Sequence, residues 1–529
     1  MKTKNFIRKT TGALLFMSLL LSSYSCEDFL AEESSNNIDS GYIYNTEDGL
    51  KSGVVSLYKF NRALYENGRH EWYSPIMMAS RSDLALNRAG VLSLMGRYIW
   101  GVSPDGYQGF LVSEFWRHYY KIASKATEII NAAEVIEGID EDVRNTVIAE
   151  AKFFRAQSYF MLYRMFNNIY VTTESVTLDN AFDLVENKST DQEILALLNS
   201  DLSFAIDNLE WSSEFGRVTK GTAKHVKAKV AMWEGNWTEA KAQAESLIDE
   251  GPHSLAGSTA EVFNGDLNNS EQLFTIQYAE DVQGGSSASM INFNFIPRYE
   301  KENDFSDLRS EYGGKGGGFL MPNNYLLNLL AEDPDDDRDN ENYYRLTYVY
   351  SSGPDTGEII DLYEPTTDPN NPSPTNNQYY ERTHPSCLKF IEEGNDPETQ
   401  FQISNIMVYR LAETYLIAAE ANMMLGNGGT AITQVNAIRA RAGAADIAIV
   451  DQQAILDERA RELAFEGQRF FTLKRMGISV LSHQITTYAG DDYYQTHPRT
   501  NWDDKYINFP IPTRDLDLLG PNYPQNNGF

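Results

Sequence analysis

Cysteine is almost absent from this chain of 529 residues, which contains only Cys26 and Cys387. If Cys26 carries a modification, as its position suggests below, Cys387 has no partner and no disulfide holds the fold. One remaining thiol also argues against zinc and iron–sulfur sites, which usually need several. We expect Cys387 to be a small buried packing residue rather than a catalytic nucleophile.

Catalytic motifs are missing as well. The chain has no G-x-S-x-G elbow and no H-E-x-x-H helix, and its seven histidines never fall at ligand spacing. The glycine cluster Gly313–Gly318 lacks the Gly-Lys-Ser/Thr ending of a phosphate loop. The acidic run Asp333–Asp339 could supply oxygen ligands to calcium, but it lacks the glycine and glutamate of an EF-hand loop. We predict no enzyme, no metal and no cofactor, with calcium at this run as an alternative.

Positive charge is scarce, and no apolar run reaches membrane-spanning length. The net charge is −31, and removal of Lys2, Lys4, Arg8 and Lys9 with the export signal described next makes it −35. Such a surface repels phosphate backbones and anionic lipid heads, so nucleic acid is not an expected partner.

The first 25 residues have the three parts of an export signal: a positive head, the apolar run Ala13–Leu21 and small residues before Cys26. A run this short does not cross ~30 Å of hydrocarbon, which takes about 20 residues. Cys26 at the cleavage point predicts a lipoprotein with a palmitate-type anchor on its thiol, although Ser23 stands where such signals usually have leucine. Ordinary secretion is the alternative. Residues 26–45 then form the lipidated N-terminus and a flexible spacer.

Helical periodicity begins at Thr46, with Asn45 or Thr46 as the N-cap. Apolar stripes follow from Phe115 to Ala133 and from Ile148 to Met165. The run Thr222–Ile248, which breaks at Gly235 and Asn236, has the small-residue and aromatic spacing of a tetratricopeptide-like helix pair.

A second pair of this kind is predicted at Leu411–Ala442, and a charge-laced last helix at Ile455–Met476. We therefore predict a mainly α, helical-repeat-like scaffold over about 46–250 and 403–476. The parts at about 252–402 and 477–529 are rich in Gly, Ser, Pro and Asn, and we read them as loop-rich and ligand-facing, with a strand at Leu273–Tyr278.

Aromatic side chains are abundant. The chain has 31 Tyr and seven Trp, and stretch 70–112 mixes rings with charged groups and glycines. Rings stack on the C–H faces of sugars while polar groups bind their hydroxyls, which favours a sugar-binding surface. The alternative is that Trp72 and Trp100 simply plug the body beneath a loop.

Taken in order, these segments resemble the SusD/RagB family of surface glycan-binding lipoproteins of Bacteroidetes, over nearly the whole chain. The similar segments are Cys26–Leu30, Glu150–Phe160 (EAKFFRAQSYF) and on to Phe166, Arg217–Ala223, Tyr409–Leu416, Asn436–Gly443, Ile455–Gly467 (ILDERARELAFEG), Pro510–Pro512 and Gln525–Gly528. The resemblance implies one domain over 46–529, with eight helices in four tetratricopeptide-like pairs and an irregular inserted half.

The resemblance also implies a non-catalytic role. It implies capture of glycans outside the cell and delivery to a SusC-like TonB-dependent transporter in the outer membrane. Glu27 and Asp28 after the anchor fit display on the cell surface. A RagB-like peptide-binding protein is the first alternative, and a secreted glycoside hydrolase is the second.

The ligand contacts implied by the resemblance are placed by position rather than by motif. The predicted stacking rings are Trp72, Tyr98 and Trp100. The predicted hydroxyl-binding groups are Asp83 and Arg88. The predicted contacts from the inserted half are Tyr299 and Tyr312.

Overall fold

The computed structural model describes residues 43–65, 74–87, 103–177, 179–278, 289–299, 312–339, 342–359, 384–391, 398, 404–488 and 502–529. The predicted export signal and Cys26 lie outside these ranges. None of the helices within them is both long enough and apolar enough to cross a bilayer.

Helices dominate the described chain, as predicted. They are α1 (Glu47–Ala63), α2 (Gly106–Val135), α3 (Glu141–Phe166), α4 (Asp191–Asn208), α5 (Lys220–Glu234), α6 (Trp237–Glu250), α7 (Ile291–Phe295), α8 (Asn324–Ala331), α9 (Leu411–Met424), α10 (Gly428–Arg441), α11 (Gln452–Leu463), α12 (Arg469–Met476), α13 (Ile478–Tyr488) and α14 (Thr513–Leu516). The mainly α class is confirmed.

The long helices form one continuous stack. Helices α2 to α6 each pack on the next, α6 packs on α9 across the insertion, and α9 packs on both α10 and α11. Alanines make the α5–α6–α9 contact, with Ala228, Ala240 and Ala418 all fully buried. Small side chains let helix axes approach closely, which is how tetratricopeptide-like pairs stack.

Helix α3 is the centre of the core. Nearly every residue from Val147 to Phe166 is buried, so the helix is surrounded by protein rather than amphipathic. The predicted stripe of α2, from Phe115 to Ala133, is buried against it.

Local signals set the helix ends. Thr46 caps α1 by accepting a hydrogen bond from the Gly49 N–H, as one of the two predicted caps. Gly235 ends α5 in the left-handed region at φ 74°, and Asn236 then caps α6. The predicted break at these two residues is confirmed.

The inserted half is held by short antiparallel ladders. Strand β1 (Ala85–Asn87) pairs with β3 (Leu320–Pro322), β2 (Gln272–Ile276) with β6 (Ile406–Arg410), and β4 (Tyr344–Arg345) with β5 (Ser386–Cys387). Strand β2 confirms the predicted strand to within two residues. The β2–β6 pair joins the insertion to α9, because Arg410 directly precedes that helix.

Two predictions near the C-terminal end need correction. The stretch Ile455–Met476 is two helices, α11 and α12, and its chain turns between them through Phe465 at φ 69° and Gly467 at φ 78°. An added Cβ at Gly467 would lie 2.4 Å from the Pro75 carbonyl oxygen, so only glycine fits there. The part from 477 onward is also less irregular than predicted, since it contains α13.

Candidate ligand-binding region and its ionic support

Asn323, at the start of α8, ties together three parts of the chain. Its backbone N–H donates to the Leu84 carbonyl at 3.0 Å. Its side-chain amide donates to the Asp83 carbonyl at 2.7 Å and to the Tyr488 carbonyl at 2.9 Å. The stretch before α2, the inserted half and the end of α13 therefore meet at one residue.

His384 joins the same point from a fourth stretch. Burial lowers the pKa of His384 to about 4, so the ring is neutral and its Nε2–H donates to the Pro322 carbonyl at 2.8 Å. We call Pro322 and Asn323 the loop hub. The chain passes from this hub into residues 88–102, 360–383 and 489–501, which lie outside the described ranges. Described residues of both stretches predicted to contact ligand thus meet at one place.

Asp83 does not face solvent. Its carboxylate accepts two hydrogen bonds from Arg469, at 2.8 and 2.7 Å, and the residue is fully buried. Both oxygens are committed to this bidentate pair, so the predicted hydroxyl-binding role of Asp83 is wrong for the described geometry. The pair instead fixes α12 to the stretch before α2.

Tyr299 is also buried, and its O–H donates to the Gly314 carbonyl at 2.9 Å. It packs with Tyr312 and Tyr348 in a small aromatic core of the insertion. A ring in this position does not stack on a ligand, so this prediction too is corrected. Tyr312 is 8% exposed, and the Arg345 guanidinium lies 4.5 Å from its ring centroid. It therefore offers at most a ring edge.

Four predicted contacts, Trp72, Arg88, Tyr98 and Trp100, lie outside the described residues and stay predictions. Arg88 directly follows Asn87, which pairs with Leu320 in the β1–β3 ladder. The abundance of tyrosine has a partly structural cause, since at least fourteen of the 31 tyrosines are buried.

A cavity of about 360 Å³ opens in the insertion beside this aromatic core. Its lining combines two rings with amides, cations and apolar groups: Ala260, Phe263, Asn264, Gly265, Leu267, Asn342, Arg345, Leu388, Lys389, Phe390, Ile391, Ser404 and Asn405. Rings with amide and guanidinium groups can bind a sugar ring and its hydroxyls.

Several of these polar groups already have structural partners. Asn342 donates to Thr259 and Asp337, and Asn405 donates to the Asp266 carbonyl. Asn264, which is exposed, is the better candidate for a ligand contact, since the Arg345 guanidinium already lies over the Tyr312 ring. Asn264 could not be singled out from the sequence, because the residues that line the cavity with it lie far apart in the chain.

Beneath the cavity lies a buried ionic network centred on Glu462 of α11. Its carboxylate accepts from Arg338 at 3.2 Å, from Arg410 at 2.5 Å and from Arg441, and also from the Tyr343 hydroxyl. Burial alone would raise the pKa of Glu462, but these arginines hold it well below its ordinary value.

The network extends to both halves of the molecule. Glu458 accepts from Arg338, Arg439 and Arg461, and Glu466 accepts from Arg410. Lys389, which lines the cavity, donates to Glu466 at 2.7 Å. The charges of the predicted charge-laced helix thus face inward and join the insertion to the scaffold.

The acidic run Asp333–Asp339 is drawn into the same contacts. Asp333 accepts from Arg439 and from the Ala445 N–H, and Asp336 pairs with Arg338. Within the described ranges, no three His, Cys, Asp or Glu side chains are grouped as a metal site would require. Cys387 is buried, and burial raises its pKa to about 12, so its thiol stays protonated and serves as packing.

Comparison with known families matches both halves of the chain. Residues 270–529 match the model of the SusD family. Residues 28–232 match a second SusD-like model, described as starch-binding and associating with the outer membrane.

Individual relatives agree. SusD-like protein P25 of Formosa agariphila is 27% identical over 98% of this chain and 100% of its own. A laminarin-binding SusD-like protein of known structure superposes with a TM-score of 0.69, at 22% identity, over 91% of this chain and 99% of its own. Surface glycan-binding protein A from Bacteroides uniformis gives 0.69 at 21% identity, over 91% and 99%.

Proposed function

Because this chain belongs to the SusD/RagB family, we propose that it is a glycan-binding lipoprotein that captures oligosaccharides or polysaccharides at the cell surface. It would then deliver them to a SusC-like TonB-dependent transporter of the outer membrane. Relatives named for binding laminarin, surface glycans or starch support the ligand class.

One structural observation carries the proposal: the loop hub joins the two stretches that were expected to contact ligand. Through Asn323 the stretch before α2 is attached to the inserted half, and the aromatic core and the cavity of about 360 Å³ belong to the same half. Residues that bind ligands are commonly carried on loops that a rigid frame positions.

The ionic network supports a rigid frame of this kind. Glu462 and Glu458 connect the insertion to α9, α10 and α11 through arginines that are themselves held by two carboxylates. Rigid support lowers the entropy lost when a flexible sugar chain binds. We expect capture to need no change in the scaffold.

The lipid anchor at Cys26 and the transporter follow from the same family membership and have their own tests. We expect Cys26→Ser to release the protein from the outer membrane of its host. We expect the wild-type protein to co-purify with a barrel transporter from that membrane.

A glycan array with the purified protein tests the ligand class, and isothermal titration of the best hit then gives its affinity. Recovery of the intact oligosaccharide would support capture without catalysis. Cleaved products would contradict it in favour of a hydrolase, and binding of peptides but of no glycan would favour the RagB-like alternative.

Trp100 offers a test at residue level. Trp100→Ala should weaken binding of the array hit by about 1–3 kcal/mol if the ring stacks on sugar, by analogy with base stacking on aromatic side chains. Trp211→Ala is the matched control, because Trp211 packs near Lys220 and Lys224 on the helical scaffold. Equal affinities for the two variants would remove Trp100 from the site.

A further inference from the structure

A second, much smaller cavity lies within the helical scaffold, between α3, α5, α9, α11 and α12. Its volume is about 30 Å³, which exceeds the roughly 10–15 Å³ that a cavity needs to hold one water molecule. Its lining includes Arg164, Lys229, Glu413, Arg459, Gln468 and Arg475. The ligand region described above contains none of these residues.

The lining is strongly cationic, although the chain as a whole is acidic. Arg164, Lys229, Arg459 and Arg475 come from four different helices. Among the described residues two carboxylates form ion pairs with these cations. Glu420 pairs with Arg475 at 2.8 Å, and Glu413 pairs with Lys229 and Arg459.

Both carboxylate oxygens of Glu413 already accept hydrogen bonds. It accepts from Lys229 at 2.8 and 2.7 Å, from Arg459 at 3.0 Å and from the His225 ring at 3.1 Å. Burial alone would raise the pKa of Glu413, but Lys229, His225 and Arg459 hold it well below its ordinary value. One carboxylate therefore balances two cations before Arg164 is considered.

Arg164 has no carboxylate partner among the described residues. Its guanidinium lies between the rings of Phe160 and Phe471, 4.3 Å from each centroid, and the residue is 3% exposed. Its Nη groups donate to Gln468 and to the Met161 sulfur, both uncharged. Burial of a charge without a counter-ion is strongly unfavourable.

Two buried N–H positions at this cavity have no acceptor within the described part of the chain. They are Nε of Arg164 and Nη1 of Arg459. Helix α12 also begins here, and its N-cap Gln468 makes no side-chain capping bond, so the positive end of that helix adds to the field.

We propose that this cavity binds one small monovalent anion of chloride size, held by the guanidinium groups of Arg164 and Arg459 near Lys229. An anion would satisfy both donors and balance the excess positive charge. A water molecule could satisfy a donor but would not change the charge. The proposal does not depend on what the protein binds at its ligand region.

Crystals grown with sodium bromide test the site directly. We expect an anomalous bromide peak in the cavity, in contact with Arg164 and Arg459. Thermal unfolding in sodium chloride and in sodium gluconate at equal ionic strength gives a second measure. Chloride should raise Tm in a saturable way, because a ligand that binds only the native state stabilises it. Gluconate is too large to enter and should not.

Gln468→Glu is the sharpest variant, because its side chain already accepts from Arg164 and Lys229 and the change is isosteric. The fixed carboxylate should raise the half-saturating chloride concentration at least about tenfold, since like charges a few ångströms apart repel. Gln243→Glu on α6, beside Lys224, is the matched control and should keep the wild-type chloride response.

A bromide peak, with a chloride response that Gln468→Glu weakens at least about tenfold and Gln243→Glu retains, supports the site. An empty or water-filled cavity in the bromide crystal would overturn it. Identical unfolding curves in chloride and gluconate would overturn it as well.

Discussion

Glu462→Gln is the most informative perturbation of the frame. Glu462 is fully buried and accepts from three arginines and one tyrosine hydroxyl. Glutamine keeps the shape but removes the charge, and its amide N–H groups then face guanidinium N–H groups. Arg338, Arg410 and Arg441 are left with fewer acceptors than donors.

The magnitude follows from this geometry. Breaking a buried ion pair by removal of one partner typically costs about 3–5 kcal/mol, because the remaining charge stays buried. Total stability of a domain is about 5–15 kcal/mol. We therefore expect Glu462→Gln to remove a large fraction of the free energy of unfolding.

Urea unfolding followed by circular dichroism measures the loss. Glu47→Gln is the control: it removes one carboxylate from the exposed Glu47–Lys51 pair and should leave stability unchanged. If both variants unfold at the same urea concentration, the network does not hold the frame.

The same variant has a pH signature. A folded pKa below the unfolded value gives stability that is present above the unfolded pKa and is lost as pH falls through the folded one. The pKa of Glu462 is depressed in this way. Wild-type protein should therefore lose stability more steeply than Glu462→Gln as pH falls below about 4.3, the ordinary glutamate value. Parallel curves would contradict the assignment.

Two smaller predictions concern single residues. Gly235→Ala should cost about 1–2 kcal/mol in urea unfolding, because φ is 74° there although no atom crowds an added Cβ; an unchanged stability would show that the turn relaxes. Lys474 is buried, and burial lowers its pKa to about 7. The pKa of lysine in the unfolded chain is about 10.4. As pH rises from about 7 to that value, this group should add up to about 1.4 kcal/mol per pH unit to the free energy of unfolding of the wild type. Lys474→Met should lack this increase, and equal slopes for the two proteins would contradict the prediction.

The helical scaffold could be predicted from sequence because its signals are local. The stripe from Phe115 to Ala133 and the Gly235–Asn236 break follow from spacing within one or two helices. The segments that resemble the SusD/RagB family indicated in addition the order of the helices along the chain. Burial of α3 on all sides could not be predicted. A sequence pattern shows one apolar face of a helix, and a helix that packs on every side has no single apolar face to show.

The ligand region could not be predicted to the same degree, because its contacts join residues far apart in the chain. Asp83 is 386 residues from Arg469, and nothing near either residue indicates the pair. Ile455–Met476 was predicted only as a charge-laced helix, and its sequence does not show that Glu458 and Glu462 face arginines of other elements. Exposure decides whether a polar residue can bind ligand, and exposure is a tertiary property.

The last prediction concerns how the charge of a glycan affects its affinity for this protein. The described residues bury at least twelve of the 44 lysines and arginines but only about ten of the 75 acidic residues. Burial thus removes slightly more positive than negative charge from the surface of an already acidic protein. Repulsion of a polyanionic glycan should therefore be strong when the Debye length is long, about 30 Å at 0.01 M salt, and weak at about 3 Å in 1 M salt.

Titration with matched neutral and sulfated oligosaccharides at these two salt concentrations separates the cases, with sodium gluconate as the salt. Affinity for the neutral chain should not depend on salt, because it carries no charge to screen. Affinity for the sulfated chain should rise with salt, because screening removes repulsion. A sulfated chain that binds more tightly at low salt would mean that a local cationic surface outweighs the acidic whole.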